Sequence, residues 1–354
     1  MGINSVTASA SPASAGKTYT GPGNGIDTYD EYKPSSRNTF TYKFGTASGL
    51  SNGSMSVNGY IAGGSAFSVV TSVSTTVVMR RVNNALVTGN RDILSFTGNR
   101  TPGINVTGQT WSSLTINLNT KYVADMGASF SQNNLLVGAD NIFSNQGNNN
   151  GNNNNIERMD VMVPAGFRVL DAQKYGFPVL ERGAYNGHDA FKVAVITGIN
   201  SSGNPSAYSK VVSVKSSNYN NTTGTNPVAD AAYTYFTFRR DGTSDLQANY
   251  HISNQGIGGV AFRFSDFGIN NNTIIYGYSI MADDFNSTLG SNVVDYTNSA
   301  HYPRNTSESI GGIDPLAVMS ISMETTILPV KMVSFTAKNN AGKSDLQWDN
   351  CYRD

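Results

Sequence analysis

The chain contains one cysteine, Cys351, so no intrachain disulfide can form and stability has to come from buried apolar surface. Charge is scarce as well. Only 14% of the 354 residues are charged, and Lys plus Arg balance Asp plus Glu at 24 against 24. That balance excludes the basic footprint expected of a nucleic-acid partner. No run of eighteen apolar residues occurs, which excludes a transmembrane helix. The opening Met1-Gly2-Ile3-Asn4-Ser5 lacks the basic start and apolar stretch of a signal peptide. The Ala/Ser-rich stretch Ala8–Ala15 reads instead as a mature end left after removal of such a leader. The three histidines, His188, His251 and His301, are isolated, and none has a second His or Cys at metal-ligand spacing. No G-x-S-x-G elbow nominates a nucleophilic serine.

What fills the chain instead is Gly, Asn, Ser and Thr, together with 18 Tyr and 16 Phe. Apolar residues make up 38% and alternate with polar ones, which is the period of half-buried strands rather than of disorder. Strand patterns are read at Thr39–Phe44, Met55–Ala62, the β-branched run Phe67–Met79, and Trp111–Leu118. Further candidates are Ile156–Val163, Arg168–Asp171, Phe177–Glu181, Ala190–Thr197 and Ala207–Val214. Ala231–Arg239, Gly259–Phe264, Thr273–Met281 and Pro315–Thr326 follow. Connections rich in Asn, Gly and Ser separate them, and no segment has helical periodicity beyond two turns. The expected fold is all-β: a large antiparallel β-sandwich of jelly-roll or Ig-like type, in one or two units, with a C-terminal β-hairpin. Residues 1–37, rich in Ser, Gly, Thr and Pro, read as an arm or linker. The low-complexity tract Gln146–Asn155 is either a surface loop or a junction between two halves of a sandwich region spanning 38–327.

The segment Leu328-Pro329-Val330-Lys331-Met332-Val333-Ser334-Phe335-Thr336-Ala337, followed by Leu346-Gln347-Trp348, alternates as two strands around the turn residues Asn339–Gly342. It resembles the LPVxLxxFxA…LxW opening of a small β-sandwich module. That module lies near the C-terminus of many secreted and surface proteins of Bacteroidota that carry a type IX secretion sorting domain. Residues 328–354 are then the start of a truncated C-terminal β-module. Upstream segments resemble the context of that module, among them Ile156–Asp160, Glu181-Arg182-Gly183 and Gly311–Pro315. The resemblance implies an extracellular or outer-surface location and carries over no catalytic residue.

Candidate sites are few. Only five glutamates occur, and Glu157 with Asp160 or Glu181 with Asp189 are the pairs a glycosidase would need. The competing reading is solvated carboxylates or salt bridges with Arg158 and Arg182. Asp283, Asp284 and Asp295, near Asn286 and Ser287, supply the hard oxygens that suit Ca2+, although turn-capping aspartates give the same pattern. Asp241 and Asp245 form a second acidic turn. Tyr233 and Tyr235 share one face of a strand pattern, as do Tyr276 and Tyr278, and such faces either pack a core or stack on sugar rings. The expectation is a non-enzymatic structural or adhesive surface protein without a catalytic residue. Its partner is either a second copy, joined by strand addition through a terminal segment, or a surface polysaccharide. A carbohydrate-binding module is the alternative, and a glycan-active hydrolase ranks below it.

Overall fold

A computed structural model describes residues 4–12, 39–47, 55–62, 65–85, 87–89, 91–100, 109–117, 126–130, 137–146, 154–184, 189–218, 233–241, 247–316, 318, 321–325, 332–340 and 343–350. These residues are mostly strand. In chain order they form β1 (Asn4–Pro12), β2 (Thr39–Ala47), β3 (Met55–Ala62), β4 (Ser65–Val69), β5 (Thr76–Arg81), β6 (Arg91–Arg100), β7 (Gln109–Asn117) and β8 (Val137–Ala139). There follow β9 (Ile156–Val169), β10 (Tyr175–Ala184), β11 (Phe191–Ile199), β12 (Pro205–Tyr208), β13 (Val212–Val214) and β14 (Tyr233–Asp241). The last are β15 (Gln247–Arg263), β16 (Thr273–Ala282), β17 (Pro315–Leu316), β18 (Ser322–Thr325), β19 (Met332–Asn340) and β20 (Lys343–Asn350). Two short helices, Met126–Phe130 and Glu308–Gly311, complete the regular structure apart from 3-10 turns.

The fold is the antiparallel β-sandwich that the alternation implies. One sheet runs β12-β11-β16-β9-β5, with β13 also paired to β11. The other runs β1-β15-β14-β6-β8-β17-β10-β18-β4-β3, closes from β3 back to β1, and has an added β10–β15 ladder. β2 and β7 form a separate ladder, as do β19 and β20. The chain divides into two compact units, Met1–Glu324 and Thr325–Asp354, and β19 and β20 form the expected hairpin of the second, with Phe335 opposite Trp348.

The main core lies between the two sheets. Phe177 and Val179 of β10 and Val260 and Phe262 of β15 meet Val161 and Val163 of β9, Val193 and Val195 of β11, and Ile275, Tyr278 and Ile280 of β16. Burying one such side chain contributes about 1.5–3 kcal/mol, which is how the fold stands without disulfides. At its centre Phe177 and Tyr278 stack with ring centroids 3.8 Å apart. The opposite face of the six-stranded sheet is covered too. There Ala194 and Met281 of the sheet form a second buried cluster with Phe285, Val293 and Tyr302 of the covering segment 283–304.

Three readings of the sequence need correction. The run Phe67–Met79 is two strands, not one. Val70 donates to Ile321 O and Val73 closes a turn on Val70 O, so β4 stays in the closed sheet while β5 joins the six-stranded one. β-Branched density reports strand preference but is blind to such a corner. Ile156–Val163 and the start of Arg168–Asp171 are one strand, because β9 runs through Pro164 to Val169. The ladder absorbs the irregularity by a register shift between Ile275 and Gly277, with Gly166 and Gly277 both at positive φ (72° and 114°). β15 begins at Gln247, twelve residues ahead of the apolar Gly259–Phe264. Strands also pair across the Asn-rich tract in both sheets, β5 with β9 and β6 with β14. Asn154 and Asn155, at its end, are buried. Asn155 Nδ2 donates to Asn83 Oδ1 at 2.9 Å and Gly89 O at 2.6 Å.

Gly277 offers a direct check. A Cβ there would lie 1.8 Å from Val161 O, and the positive φ adds strain. Gly277→Ala is expected to lower unfolding free energy by at least ~2 kcal/mol, read from denaturant midpoints. An unchanged midpoint would show that the bulge is not held as described.

Candidate functional site on the covered face of the six-stranded sheet

Period-two geometry places Arg158 and Asp160 on one face of β9, opposite the core face carrying Met159 and Val161. Both are buried. Arg158 grips Asp160 at two points, Nε to Oδ1 at 2.6 Å and Nη2 to Oδ2 at 3.1 Å. Arg80 of β5 adds Nε to Oδ2 at 2.6 Å, and Ser279 of β16 donates to Oδ1 at 2.6 Å. Tyr208 of β12 is hydrogen-bonded with Ser279 at 2.9 Å. Four strands thus meet at one carboxylate. Burial pushes the Asp160 pKa up, but the combined pull of Arg158, Arg80 and Ser279 holds it below the ordinary aspartate value.

The same arginine holds the covering segment down. Arg158 Nη1 donates to Val293 O, and to Val294 O at 3.1 Å. Its guanidinium lies 5.3 Å from the Tyr208 ring centre and 5.2 Å from that of Tyr296, a cation held between aromatic faces. Tyr302 OH donates to Val293 O at 2.8 Å. A second anchor is Glu157, which pairs with Arg304 Nη1 at 2.5 Å and accepts from Asn145 Nδ2 at 3.2 Å. Arg304 in turn donates to Thr297 O at 2.7 Å. Asn145 also accepts from Thr306 N at 2.7 Å.

Beside Glu157 lies a cavity of about 10 Å³, bordered by Asp284, Phe285, Tyr302 and Thr306. That is room for about one water molecule. Burial raises the Glu157 carboxyl to about 7 in spite of Arg304, and burial likewise raises Asp284. Thr306 Oγ1 donates to Asp284 Oδ2 at 2.8 Å, while the buried Oδ1 has no hydrogen-bond partner among the described residues.

A second polar cluster surrounds Arg182 on β10. It contacts Asp140 and lies 2.6 Å from Asp314 Oδ2, while Asn141 N donates to Asp314 Oδ1 at 2.7 Å. Glu181 accepts from Asp189 N at 2.9 Å. Burial, reinforced by Glu181, raises Asp189 to about 7. Of the two carboxylate pairs read from sequence, Glu181 and Asp189 are therefore neighbours. Glu157 and Asp160 bind separate partner sets.

The three aspartates read as calcium ligands diverge. Asp283 pairs with Lys215 at 2.8 Å, Asp284 turns toward Thr306, and exposed Asp295 caps its own turn by accepting from Thr297 Oγ1 at 2.6 Å and N at 3.0 Å. That Asx turn lowers its pKa. No group of three or more His, Cys, Asp or Glu placed to hold a metal ion occurs among the described residues. Tyr276 and Tyr278 do not share a face. The bulge at Gly277 separates them, leaving Tyr276 half-buried while Tyr278 sits in the core at 1% exposure and cannot meet a ligand from solvent. Tyr233 and Tyr235 lie on β14, but their side chains, like those of Asp241 and Asp245, fall outside the described residues.

Sequence reasoning missed Arg80, Asn145, Arg304 and Thr306 as partners. The available signal was the pair Arg158 and Asp160, opposite charges two apart inside an apolar strand. Comparison of the chain with models of protein families, with curated proteins and with solved structures gives no match. Fold and site together define an all-β sandwich whose buried charges fasten loops to sheets.

Arg158→Met removes the main partner of a buried carboxylate and is expected to cost about 3–5 kcal/mol in unfolding free energy. Adding Asp160→Asn is expected to recover part of that loss, measured as coupling in a double-mutant cycle. The pH dependence has a definite sign. Glu157 and Asp189 are raised, so the folded state holds more protons between their ordinary values and about 7, and stability falls as pH rises through 7. Asp160 is lowered, so its contribution is lost as pH drops through its ordinary value and below. Denaturant midpoints are expected to peak in mildly acidic buffer, and Glu157→Gln is expected to flatten the neutral limb by on the order of 1–2 kcal/mol.

Proposed function

We propose that the chain is a non-enzymatic extracellular structural or adhesive surface protein, a substrate of type IX secretion from a Bacteroidota bacterium. The observation that carries this reading is where the buried ions go. Arg158, Asp160, Glu157 and Arg304 tie the segment 283–304 to the sheet beneath it. That is how a rigid body presents an Asn/Ser/Thr/Tyr-rich surface to a partner. The likeness of Leu328–Ala337 and Leu346–Trp348 to the C-terminal module supports export. With neither disulfides nor many charges, such a protein depends on a large core, and the two buried clusters supply one.

A carbohydrate-binding role is the second reading. It draws on Tyr276, half-buried at the bulge beside Ile274, a large apolar side chain that is exposed. Glycan-array binding that disappears on Tyr276→Ala, with the denaturant midpoint unchanged, would favour it over the structural role.

For the first reading, antibody raised against residues 283–304 is expected to label intact cells of the source bacterium. The purified chain is expected to gain mass with concentration in light scattering. Label confined to lysed cells, together with a monomer at every concentration, would overturn it.

A further inference from the structure

The segment Asn4–Pro12, read from sequence as part of an arm, is strand β1. It lies between β3 and β15. Its residues Val6 to Pro12 face Ala62 to Met55 of β3, and Asn4 and Ser5 face Ala261 and Val260 of β15. β1 is therefore the piece that closes the larger sheet. Remove it, and β3 and the end of β15 are left as open edges with unpaired backbone donors and acceptors. Only an extended segment of matching register can satisfy both.

We infer that β1 is an exchangeable strand, and that the groove between β3 and β15 accepts β1 of a second copy of the chain. The inference rests on the assembly reading above and deepens it by naming donor and acceptor. Three observations favour exchange of this strand. Its sequence, Asn-Ser-Val-Thr-Ala-Ser-Ala-Ser-Pro, offers one Val and two Ala as apolar residues, so little apolar area opposes departure. Its ladder with β3 is broken by a register shift between Ser9 and Ala10, which loosens the pairing further. Residues 13–38, rich in Ser, Gly, Thr and Pro, separate it in sequence from β2, so its links to the rest of the chain are not short.

The strand makes identical contacts in either copy, so the balance is set by concentration. Covalent connection favours the strand's own groove when chains are dilute, and crowding of chains on a surface favours the competing one. A reciprocal swap gives a closed dimer, and a one-way swap gives a head-to-tail chain.

Cysteine pairing tests this, with Cys351→Ser as background. Ser11 and Ser56 are register partners across β1 and β3, and Ser→Cys is a mild change at both. One protein carries Ser11→Cys and another Ser56→Cys. They are mixed at high concentration, incubated, then oxidised. The expected result is a disulfide-linked dimer of the two variants on a non-reducing gel, its yield rising with concentration. A chain with both substitutions is expected to close an intramolecular disulfide when dilute. Absence of the mixed dimer while the double variant closes normally would overturn the exchange, and so would failure of the double variant to close. Val6→Cys with Ala62→Cys repeats the test at the other end of the ladder, should either serine variant misfold. Light scattering on the same samples separates the two claims. Growth in mass without the mixed disulfide sinks the exchange of β1 and leaves assembly standing, whereas monomers throughout sink both.

Discussion

The structure turns on one buried ion pair. Arg158 and Asp160 sit on the face of the six-stranded sheet that would otherwise be its solvent side. Each is costly to bury alone and tolerable only with its hydrogen bonds complete. Asp160 completes its set with β5 and β16, and Arg158 with the backbone at Val293 and Val294. The covering segment is therefore a requirement of the charge beneath it. Once it is in place, Phe285, Val293 and Tyr302 bury the rest of that face. An antiparallel sheet commonly leaves one face wet. This one is packed on both.

The arrangement also explains why the polar composition does not weaken the fold. Asn145, Asn154 and Asn155 are fully enclosed; Asn145 bonds Pro303 O and Asn155 bonds Gly89 O, far away in sequence, while Asn154 bonds Asn141 O across the Asn-rich tract. A buried amide with its partners in place constrains geometry more tightly than an apolar side chain does. Asparagine here acts as a connector between loops.

Much of this was visible in the residues. Alternation at Thr273–Met281, Ala190–Thr197 and Met55–Ala62 locates β16, β11 and β3 closely, and β16 and β11 each turn one face into the core between the sheets. Polar strands were harder. Asn4–Pro12 and Gln247–Asn254 carry few apolar residues, and backbone pairing with neighbours fixes them instead. The site was half legible. For Arg158 and Asp160 the residues leave open solvated charge or a salt bridge, the structure has the salt bridge, and nothing local reveals that residues 293–294 come to lie over it. Tyr278 shows the opposite error: two tyrosines two apart imply a common face only while the pleat is regular, and Gly277 interrupts it.

The corner between β4 and β5 has a mechanical meaning. Within a dozen or so residues the backbone leaves the closed sheet and enters the other, linking the layers covalently. Shear applied to either layer therefore loads a continuous stretch of polypeptide as well as the packed interior. A body wired this way carries tension from one layer into the other.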